Sequence, residues 1–354
     1  MSPPESKTTE ATKPAATKVT RPRRARPGTI SAAFRRLTER RRARAGVLVL
    51  AMLALVAIFA DLLASDLPLL CSIDGVVYVL PAITHPSSLT GFDNEIIAKQ
   101  DGGFSIFPLV RHGPTSQGPR KVERPSPEHP FGTDASGQDV FAQTVHGVRT
   151  QLGFALLTVF GYVILGAFLG AVAGYFGGTA DFVTQRVTDT MSAMPSFVLV
   201  LCVQAALPHP DLWTLLLTIV AARFAEVARL VRTEVVDVSS RDYVVAARAL
   251  GASPMRVLFR HVLPNARGQA IVSATFGLGA VVLLEAQLDF LRIGERGRYA
   301  SWGHVMSDVR ERPDAYWLLL FPGLFLLVTL VASNLVGEAL RDALDPRAMR
   351  EKRR

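Results

Sequence analysis

Apolar residues along this chain gather into long runs that are separated by polar, turn-rich stretches. The runs cover about residues 46–64, 152–176, 189–207, 212–230, 268–291 and 316–336. Each is roughly 20 residues long, which is the length an α-helix needs to cross the hydrocarbon core of a bilayer. The pattern predicts an all-α integral membrane protein with about six transmembrane helices.

The runs divide the chain into predicted segments. Residues 1–45 are a basic tail that is largely disordered, because its first ~28 residues combine Pro, Lys, Thr and Ala without apolar periodicity. Residues 46–64 form the first transmembrane helix, 65–149 are an aqueous, extracytoplasmic segment, and 150–347 are a five-helix core with a polar loop at 240–265. Residues 348–354 are a second short tail.

Charge is concentrated in the tail. The 354 residues carry a formal net charge of +9, and residues 1–45 alone contribute 13 Lys/Arg against 3 Asp/Glu. The other residues are therefore close to neutral, and a basic groove for nucleic acid is not indicated. The dense cluster just before residue 46 favours a juxtamembrane anchor that touches anionic lipid, with a nucleic-acid-binding arm as the alternative.

Orientation follows from the arginines of the short loops. With six spans, the N-terminal cluster, the 232–267 loop and the C-terminal tail lie on one side of the membrane, and positive residues favour the cytoplasm. The 292–312 loop also carries arginines and opposes this count. The balance predicts cytoplasmic N- and C-termini.

The second run carries a helix-packing motif. Gly166, Gly170 and Gly174 recur every fourth residue, so one helical face is bare backbone and allows a second helix to approach closely. Glycine as simple filler is the alternative interpretation.

The polar loop reads as a short helix, a glycine turn and a second helix. Apolar positions recur at helical spacing from Tyr243 to Leu250, and Gly251 can end that helix. Ser253 then fits an N-cap with Pro254 at the first position. Leu263-Pro264-Asn265 is expected to end the second helix before the fifth span. Such a knob suits docking into a partner's groove, and an amphipathic helix resting on lipid is the alternative.

Three ionisable residues lie near the end of the fifth span. Glu285, Asp289 and Arg292 are four and three residues apart, so we expect them to share one helical face. One hypothesis is that Glu285 and Asp289 line a translocation path. An internal Asp289–Arg292 pair is equally compatible with the spacing.

Motifs for catalysis are absent from the sequence. There is no phosphate-binding G-x-x-x-x-G-K-[ST] loop, no H-E-x-x-H, no G-x-S-x-G and no Cys/His metal cluster, and Cys71 and Cys202 are isolated. We therefore predict no catalytic residue, no metal site and no cofactor bound by this chain.

Several segments together resemble a known family. The loop order Ala246-Ala247, Gly251 and Leu263-Pro264 is similar to the E-A-A-x-x-x-G…L-P loop of binding-protein-dependent ABC importer permeases, and its surroundings look like the oligopeptide/dipeptide branch. Matching segments elsewhere are 129–134, 174–178, 301–303, 321–323 and 340–347. The 65–128 segment resembles Yej-type oligopeptide and microcin permeases.

The resemblance implies a type I importer permease fold and a role in ATP-driven peptide uptake across a bacterial inner membrane. On the hypothesis of a translocation path, Glu285 and Asp289 would then meet a peptide's amino group. It implies a second permease subunit, two ATP-binding subunits that hold ATP-Mg, and an external solute-binding protein, with no nucleic acid. It also implies that the loop contacts the ATPase through the following residues: Asp242, Val245, Ala246, Ala247, Arg248, Gly251, Leu263 and Pro264.

The sequence departs from the family pattern in two places. Val245 stands where the family has glutamate, which removes a charge from the docking helix. Asp289 and Arg292 replace a small-residue S-F-L-G pattern, which suggests a divergent cargo or an altered external gate. The rival function is an ion-coupled secondary carrier, which predicts broken spans with paired carboxylates at mid-membrane.

Overall fold

The chain folds as a bundle of long helices with a small sheet at one end. The computed structural model describes residues 41–73, 76–89, 94–98, 104–293 and 299–344. The predicted disordered tail lies outside these residues except for 41–45, which are helical. The predicted C-terminal tail at 348–354 lies outside them altogether.

The elements run in the following order. The helices are α1 Arg41–Ile58, α2 Ala60–Leu63, α3 Pro81–Thr84, α4 Asn94–Ala98, α5 Val140–Phe176, α6 Gly178–Ser192, α7 Ser196–Ala206, α8 Leu212–Ser239, α9 Asp242–Ala249, α10 Pro254–Val257, α11 Leu263–Phe290, α12 Trp302–Ser307 and α13 Trp317–Leu344. Single turns of 3-10 helix cover Ser87–Leu89 and Asp308–Arg310, and Leu258–Val262 form a π-helical turn.

The 65–149 segment contains a sheet that the sequence analysis missed. Strands β1 Leu70–Ile73, β2 Val76–Val79 and β3 Ser105–Ile106 pair antiparallel in the order β2-β1-β3. Leu70 pairs with both Val79 and Ile106. The strands are four residues or shorter, so their alternation is too brief to stand out from the surrounding turns. The helical prediction holds for the bundle.

Length and composition alone identify three membrane-crossing helices among the described residues. They are Val140–Phe176, Pro254–Phe290 and Trp317–Leu344, and a bent pair of helices, α6 and α7, makes a possible fourth. Helices α1 and α8 fall outside this class because each carries at least three charged residues in every 18-residue window. The count of six spans therefore stays a prediction.

The third predicted span is wrong as a straight helix. Helix α6 ends at Ser192, α7 begins at Ser196, and the two are bent by 80°. Pro195 lies at the break, where its ring disfavours a helical conformation for Met194 and its missing N–H removes a hydrogen bond. A run of apolar residues does not predict such a bend, because hydropathy carries no information about the direction of the helix axis.

The second predicted span begins too late. Helix α5 starts at Val140, so the boundary drawn at 149/150 falls inside it. Asp139 is the N-cap, and its side chain accepts a hydrogen bond from the Ala142 N–H. The first turns bury Gln143, Thr144 and Gln151. Because these polar residues interrupt the apolar pattern, the apolar run begins about 12 residues after the helix itself begins.

Helices α5 and α8 run parallel and pack backbone to backbone. A Cβ placed on Gly166, Gly170 or Gly174 would lie 2.6, 2.3 or 2.7 Å from a backbone oxygen of α8. Nothing larger than a hydrogen atom fits there, which is why the four-residue glycine spacing matters. The α6–α7 return connects the two helices, and α11 packs against both.

The bundle has two distinct ends. At the loop end, which carries residues 240–264, Ala43 of α1 packs against Ala339, Leu340 and Ala343 of α13, with Ile271 of α11 beside them. At the sheet end, which carries residues 64–139 and α12, the His146 ring bonds the Ala64 carbonyl at 2.8 Å. The chain's first and last described residues therefore meet at the loop end.

Candidate functional sites at the two ends of the bundle

Helix α9 ends in a tight glycine turn at the loop end. Gly251 adopts a φ of +83°, and its N–H donates to the Arg248 carbonyl while the Ala252 N–H donates to the Ala247 carbonyl. This pair of bonds is a Schellman motif, which satisfies the last carbonyls of the helix and needs a residue that tolerates a left-handed backbone. The sequence predicted this glycine's position correctly.

The second half of the loop differs from its prediction. Pro254 begins α10 as expected, but the Ser253 side chain makes no capping bond. Leu263-Pro264-Asn265 does not end the helix. The chain passes through a π turn, in which the Leu263 N–H donates to the Leu258 carbonyl, and continues as α11.

The π turn removes the expected conflict with proline. The wider turn just before Pro264 leaves space for the proline ring and does not require the N–H that proline lacks. In other helices, π-bulges are frequent at functional positions. The Asn265 side chain donates to the His261 carbonyl at 2.6 Å. The loop is therefore joined to α11 without a break.

Several large apolar side chains of the loop are exposed. Leu250 exposes 88% of its surface and Val245 exposes 54%, while their neighbour Val244 is fully buried in the main core. The other large exposed apolar side chains of the loop are Tyr243, Met255 and Phe259. Val244 anchors the helix to the bundle, and the exposed apolar side chains remain outside the core.

The charged residues of the loop have different settings. The Arg248 guanidinium lies 4.8 Å from the centre of the Tyr175 ring at the end of α5, a cation–π contact that holds α9 against the bundle. Asp242 lies in the exposed first turn of α9, and Ala246 is exposed beside it. Arg248 is thus an internal anchor as well as a surface charge.

The acidic residues of α11 lie in a small cavity near the sheet end. Glu285 is 1% exposed, and its carboxylate accepts a hydrogen bond from the Gln151 side chain of α5. Asp289 shares the cavity with it, and the remaining lining residues are Thr150, Gln204, Asp211, Leu212, Leu215, Tyr299 and Ser301. Among the described residues, neither carboxylate has a basic side chain within ion-pair distance.

Arg292 does not belong to this cavity. It lies beyond the end of α11 with a φ of +61°, and it pairs with Asp308 at 3.2 Å and Glu311 at 2.5 Å. Arg292 therefore does not share a helical face with Glu285 and Asp289, because the helix ends at Phe290. The alternative prediction, an ion pair between Asp289 and Arg292, is not found among the described residues.

The sheet end brings together segments that are far apart in sequence. The Trp302 indole donates to the Thr144 carbonyl at 2.9 Å, and the Trp317 indole donates to the Thr133 carbonyl at 3.2 Å. Phe131 stacks on Phe321 with ring centres 3.9 Å apart. The segments around 129–134, 301–303 and 321–323 therefore build one surface.

Burial shifts the acidity of one carboxyl in this cluster. Desolvation raises the pKa of Asp134, and the negative charge of Asp308 raises it a little further. Hydrogen bonds from the backbone N–H groups of Gln138 and Ser136 and from the Gln143 side chain oppose this rise.

The sequence analysis missed a charged cluster in the middle of α8. Arg223, Glu226 and Arg229 lie inside or at the edge of the apolar run taken for the fourth span. Their three-residue spacing was the available signal, because it repeats charge along neighbouring helical positions within a predicted span. Gln151, the partner of Glu285, carried no comparable signal.

The chain belongs to the family of binding-protein-dependent transport system inner membrane components, which matches residues 166–350. This assignment confirms the predicted importer-permease resemblance and the mostly helical membrane fold. It makes the chain a transport permease without an ATPase site of its own.

Curated relatives cover most of the chain. It is 33% identical over 316 residues to the dipeptide transport system permease protein DppC of Alkalihalophilus pseudofirmus, covering 89% of each chain. It is 35% identical over 224 residues to the oligopeptide transport system permease protein OppC of Bacillus subtilis, covering 63% of this chain and 73% of the relative. A solved chain of the MetNI methionine ABC transporter in an inward-facing conformation aligns with a TM-score of 0.46 at 16% identity, covering 57% and 96% of the two chains.

Proposed function

We propose that this chain is the permease subunit of an ATP-driven importer that moves peptides inward across a bacterial inner membrane. It would work with a second permease subunit, two ATP-binding subunits that hold ATP-Mg, and an external solute-binding protein. The observation that carries the proposal is the set of exposed apolar side chains on the 242–264 loop, which continues into α11 without a break. The names of the relatives above support peptides as the cargo.

The loop is suited to transmit force through α11. Residues Pro254–Phe290 form one continuous 37-residue helical unit, about 55 Å long at 1.5 Å per residue. A displacement of Met255 or Phe259 by a closing ATPase would move the whole helical unit. Glu285 and Asp289 lie near its other end and would move with it. Coupling between distant sites needs such a rigid element with two positions.

We infer the orientation from the positions of the arginines. The arginines at the start of α1, the 240–264 loop and the end of α13 all lie at the loop end. Positive residues favour the cytoplasmic side. We therefore assign the loop end and both termini to the cytoplasm and the sheet end to the outside, where a solute-binding protein would deliver cargo. The basic tail would contact anionic lipid.

We place Glu285 and Asp289 on the translocation path. Buried carboxylates inside a membrane protein face a water-filled cavity or a counter-charge. Their cavity, which opens between α5, α7, α8 and α11, has room for about one water-sized group in this conformation. A peptide's ammonium group matches that size and supplies the missing positive charge.

The decisive experiment compares two exposed leucines at opposite ends. Leu250 lies on the loop and Leu109, which is 75% exposed, lies at the sheet end. Leu250→Asp places an unpaired charge in the proposed ATPase interface, while Leu109→Asp makes the same chemical change outside it. The complex is purified in mild detergent and reconstituted with the binding protein, and retained ATP-binding subunit and ATP-driven peptide uptake are measured.

We expect Leu250→Asp to reduce both quantities at least tenfold and Leu109→Asp to leave subunit retention unchanged. Equal retention of the ATP-binding subunit by the two variants would refute the docking assignment. Wild-type uptake that needs an ion gradient and ignores ATP would instead establish the secondary carrier.

A further inference from the structure

Helix α8 carries three charges at mid-depth. Arg223 and Arg229 lie 11 and 17 residues after Leu212, about 17 and 26 Å along a helix of about 42 Å. Glu226 lies between them. Charged side chains at this depth are costly unless they face a cavity or a partner, so their presence indicates a functional position.

These charges face a cavity opposite the break between α6 and α7. The cavity has a volume of about 210 Å³, and its lining residues are Met191, Ser192, Met194, Ser196, Ala222, Arg223, Glu226 and Arg229. It exists because the α6–α7 pair bends by 80° at Pro195 and leaves α8 uncovered there. Its size accommodates a carboxylate with several waters.

Positive charge exceeds negative charge in this cavity. Arg229 donates to the Ser192 hydroxyl at 2.8 Å, a neutral partner. Arg223 donates to Glu226 at 3.3 Å, but that carboxylate is exposed and lies at the cavity's edge. The Nε–H of Arg223 is buried and has no acceptor among the described residues. Two guanidinium groups and one carboxylate therefore line the cavity.

We infer that this cavity receives a carboxylate of the transported solute, held by Arg223 and Arg229 halfway across the membrane. The inference rests on the proposed function. A guanidinium pairs with a carboxylate through two parallel hydrogen bonds. The Arg223 guanidinium lies 5.7 Å from the centre of the Tyr162 ring, and its Nε–H has no acceptor among the described residues. A carboxylate supplies both the acceptor and the negative charge that the cavity lacks.

The acidic cavity of α11 gives this site a counterpart. Leu215 lines the acidic cavity and Ala222 lines the basic one. Leu215 and Ala222 are seven positions apart, so they lie on one face of α8 and about 10 Å from each other. An extended chain covers about 3.3–3.6 Å per residue. A short peptide, with an ammonium at one end and a carboxylate at the other, matches this succession of charges.

The test uses matched peptides in the reconstituted complex. One tripeptide has a free carboxyl terminus and the other a terminal amide, and initial rates of ATP-driven uptake are compared. Arg223→Gln and Arg229→Gln remove the proposed contacts, and Arg186→Gln is the control because that exposed arginine of α6 does not line the cavity. The binding protein is the same throughout, so its own preference cancels between variants.

We expect wild type and Arg186→Gln to prefer the free carboxylate at least tenfold. Arg223→Gln and Arg229→Gln should bring the ratio of the two rates at least fivefold closer to one. Arg223→Lys, which keeps the charge and loses the fork, should fall between, and it replaces Arg223→Gln if that variant fails to assemble.

Three outcomes would overturn the inference. One is an unchanged ratio in both glutamine variants. Another is loss of the second permease subunit with an unchanged ratio, which would place these arginines in a subunit interface. The third is equal uptake of both peptides by wild type. Failure of wild type to import either peptide would refute the proposed function itself and not only this site.

Discussion

The loop at 242–264 and the pair of tryptophans at the sheet end differ in how much of their apolar surface is buried. At the loop end, Leu250 and Phe259 are exposed while only Val244 and a few neighbours are buried. At the sheet end, Trp302 and Trp317 are buried and each indole N–H has an acceptor within the chain. The loop therefore leaves apolar area open, whereas the two indoles are enclosed, although other apolar side chains of the sheet end, such as Leu109, are exposed.

This difference teaches where the chain needs another molecule. Exposed apolar side chains gathered on one rigid knob indicate a protein interface. Buried indoles with satisfied N–H groups indicate a structure that holds itself together. Substitutions of the exposed loop residues should therefore alter transport with little change in stability, and substitutions of the two buried indoles should do the reverse.

The largest effect is expected for Trp302→Ala. Removing a fully buried indole costs about 3–5 kcal/mol and also leaves the Thr144 carbonyl without its donor. The midpoint of thermal unfolding in detergent should fall on the order of 10 °C. Trp213→Ala is the control, since that indole is 65% exposed at the start of α8. Equal midpoints for the two variants would break the comparison.

A smaller effect is expected from the protonation of Asp134 at the sheet end. Burial raises the pKa of this carboxyl, so the folded protein holds the proton more tightly than the unfolded chain. The resulting stabilisation is complete below the unfolded pKa of about 3.9 and is lost as pH rises through the folded pKa. Asp134→Asn should flatten this part of the stability curve.

The measurement for Asp134 is the unfolding midpoint from pH 4 to pH 8. The Asp134→Asn variant should lose less stability than wild type over that range. Asp314→Asn changes an exposed aspartate near the start of α13 and should follow wild type. A wild-type curve that is identical to the Asp134→Asn curve would contradict the role of burial.

The smallest effect on stability is expected for Val245→Glu. Its exposure lets a carboxylate reach water, so the free energy of unfolding should change by less than about 0.5 kcal/mol. The variant restores the acid of the family pattern, and we expect ATP-driven uptake at or above the wild-type rate. The adjacent Val244→Glu is the control, because burying that charge should destabilise the fold by at least ~2 kcal/mol. Uptake below a tenth of wild type by Val245→Glu would show that the loop depends on valine.

Local patterns predicted the loop well because its signals are local. Gly251 and Pro254 act through their own backbone conformations, so each could be placed from sequence. The continuation through Pro264 could not, because a π turn arises from hydrogen bonds five residues apart. Likewise the 80° bend at Pro195 depends on what packs against the two halves.

The candidate sites divide in the same manner. Glu285 and Asp289 were found from charge inside an apolar run, and their exact surroundings were not. Gln151, Ser301 and Asp211 come from other helices and meet the acidic pair only through packing. Arg292 was grouped with the pair by its spacing, yet the helix ends first and directs it to Asp308 and Glu311 instead.

The sequence by itself determined the class of protein, since apolar runs, glycine spacing and the loop motif are written along one dimension. It also determined which loop meets the aqueous phase, because arginines and helix-ending residues mark it locally. Only the tertiary structure decided which charges share a cavity. Both the acidic cavity of α11 and the basic cavity of α8 form between helices, where residues from different parts of the chain come into contact through packing.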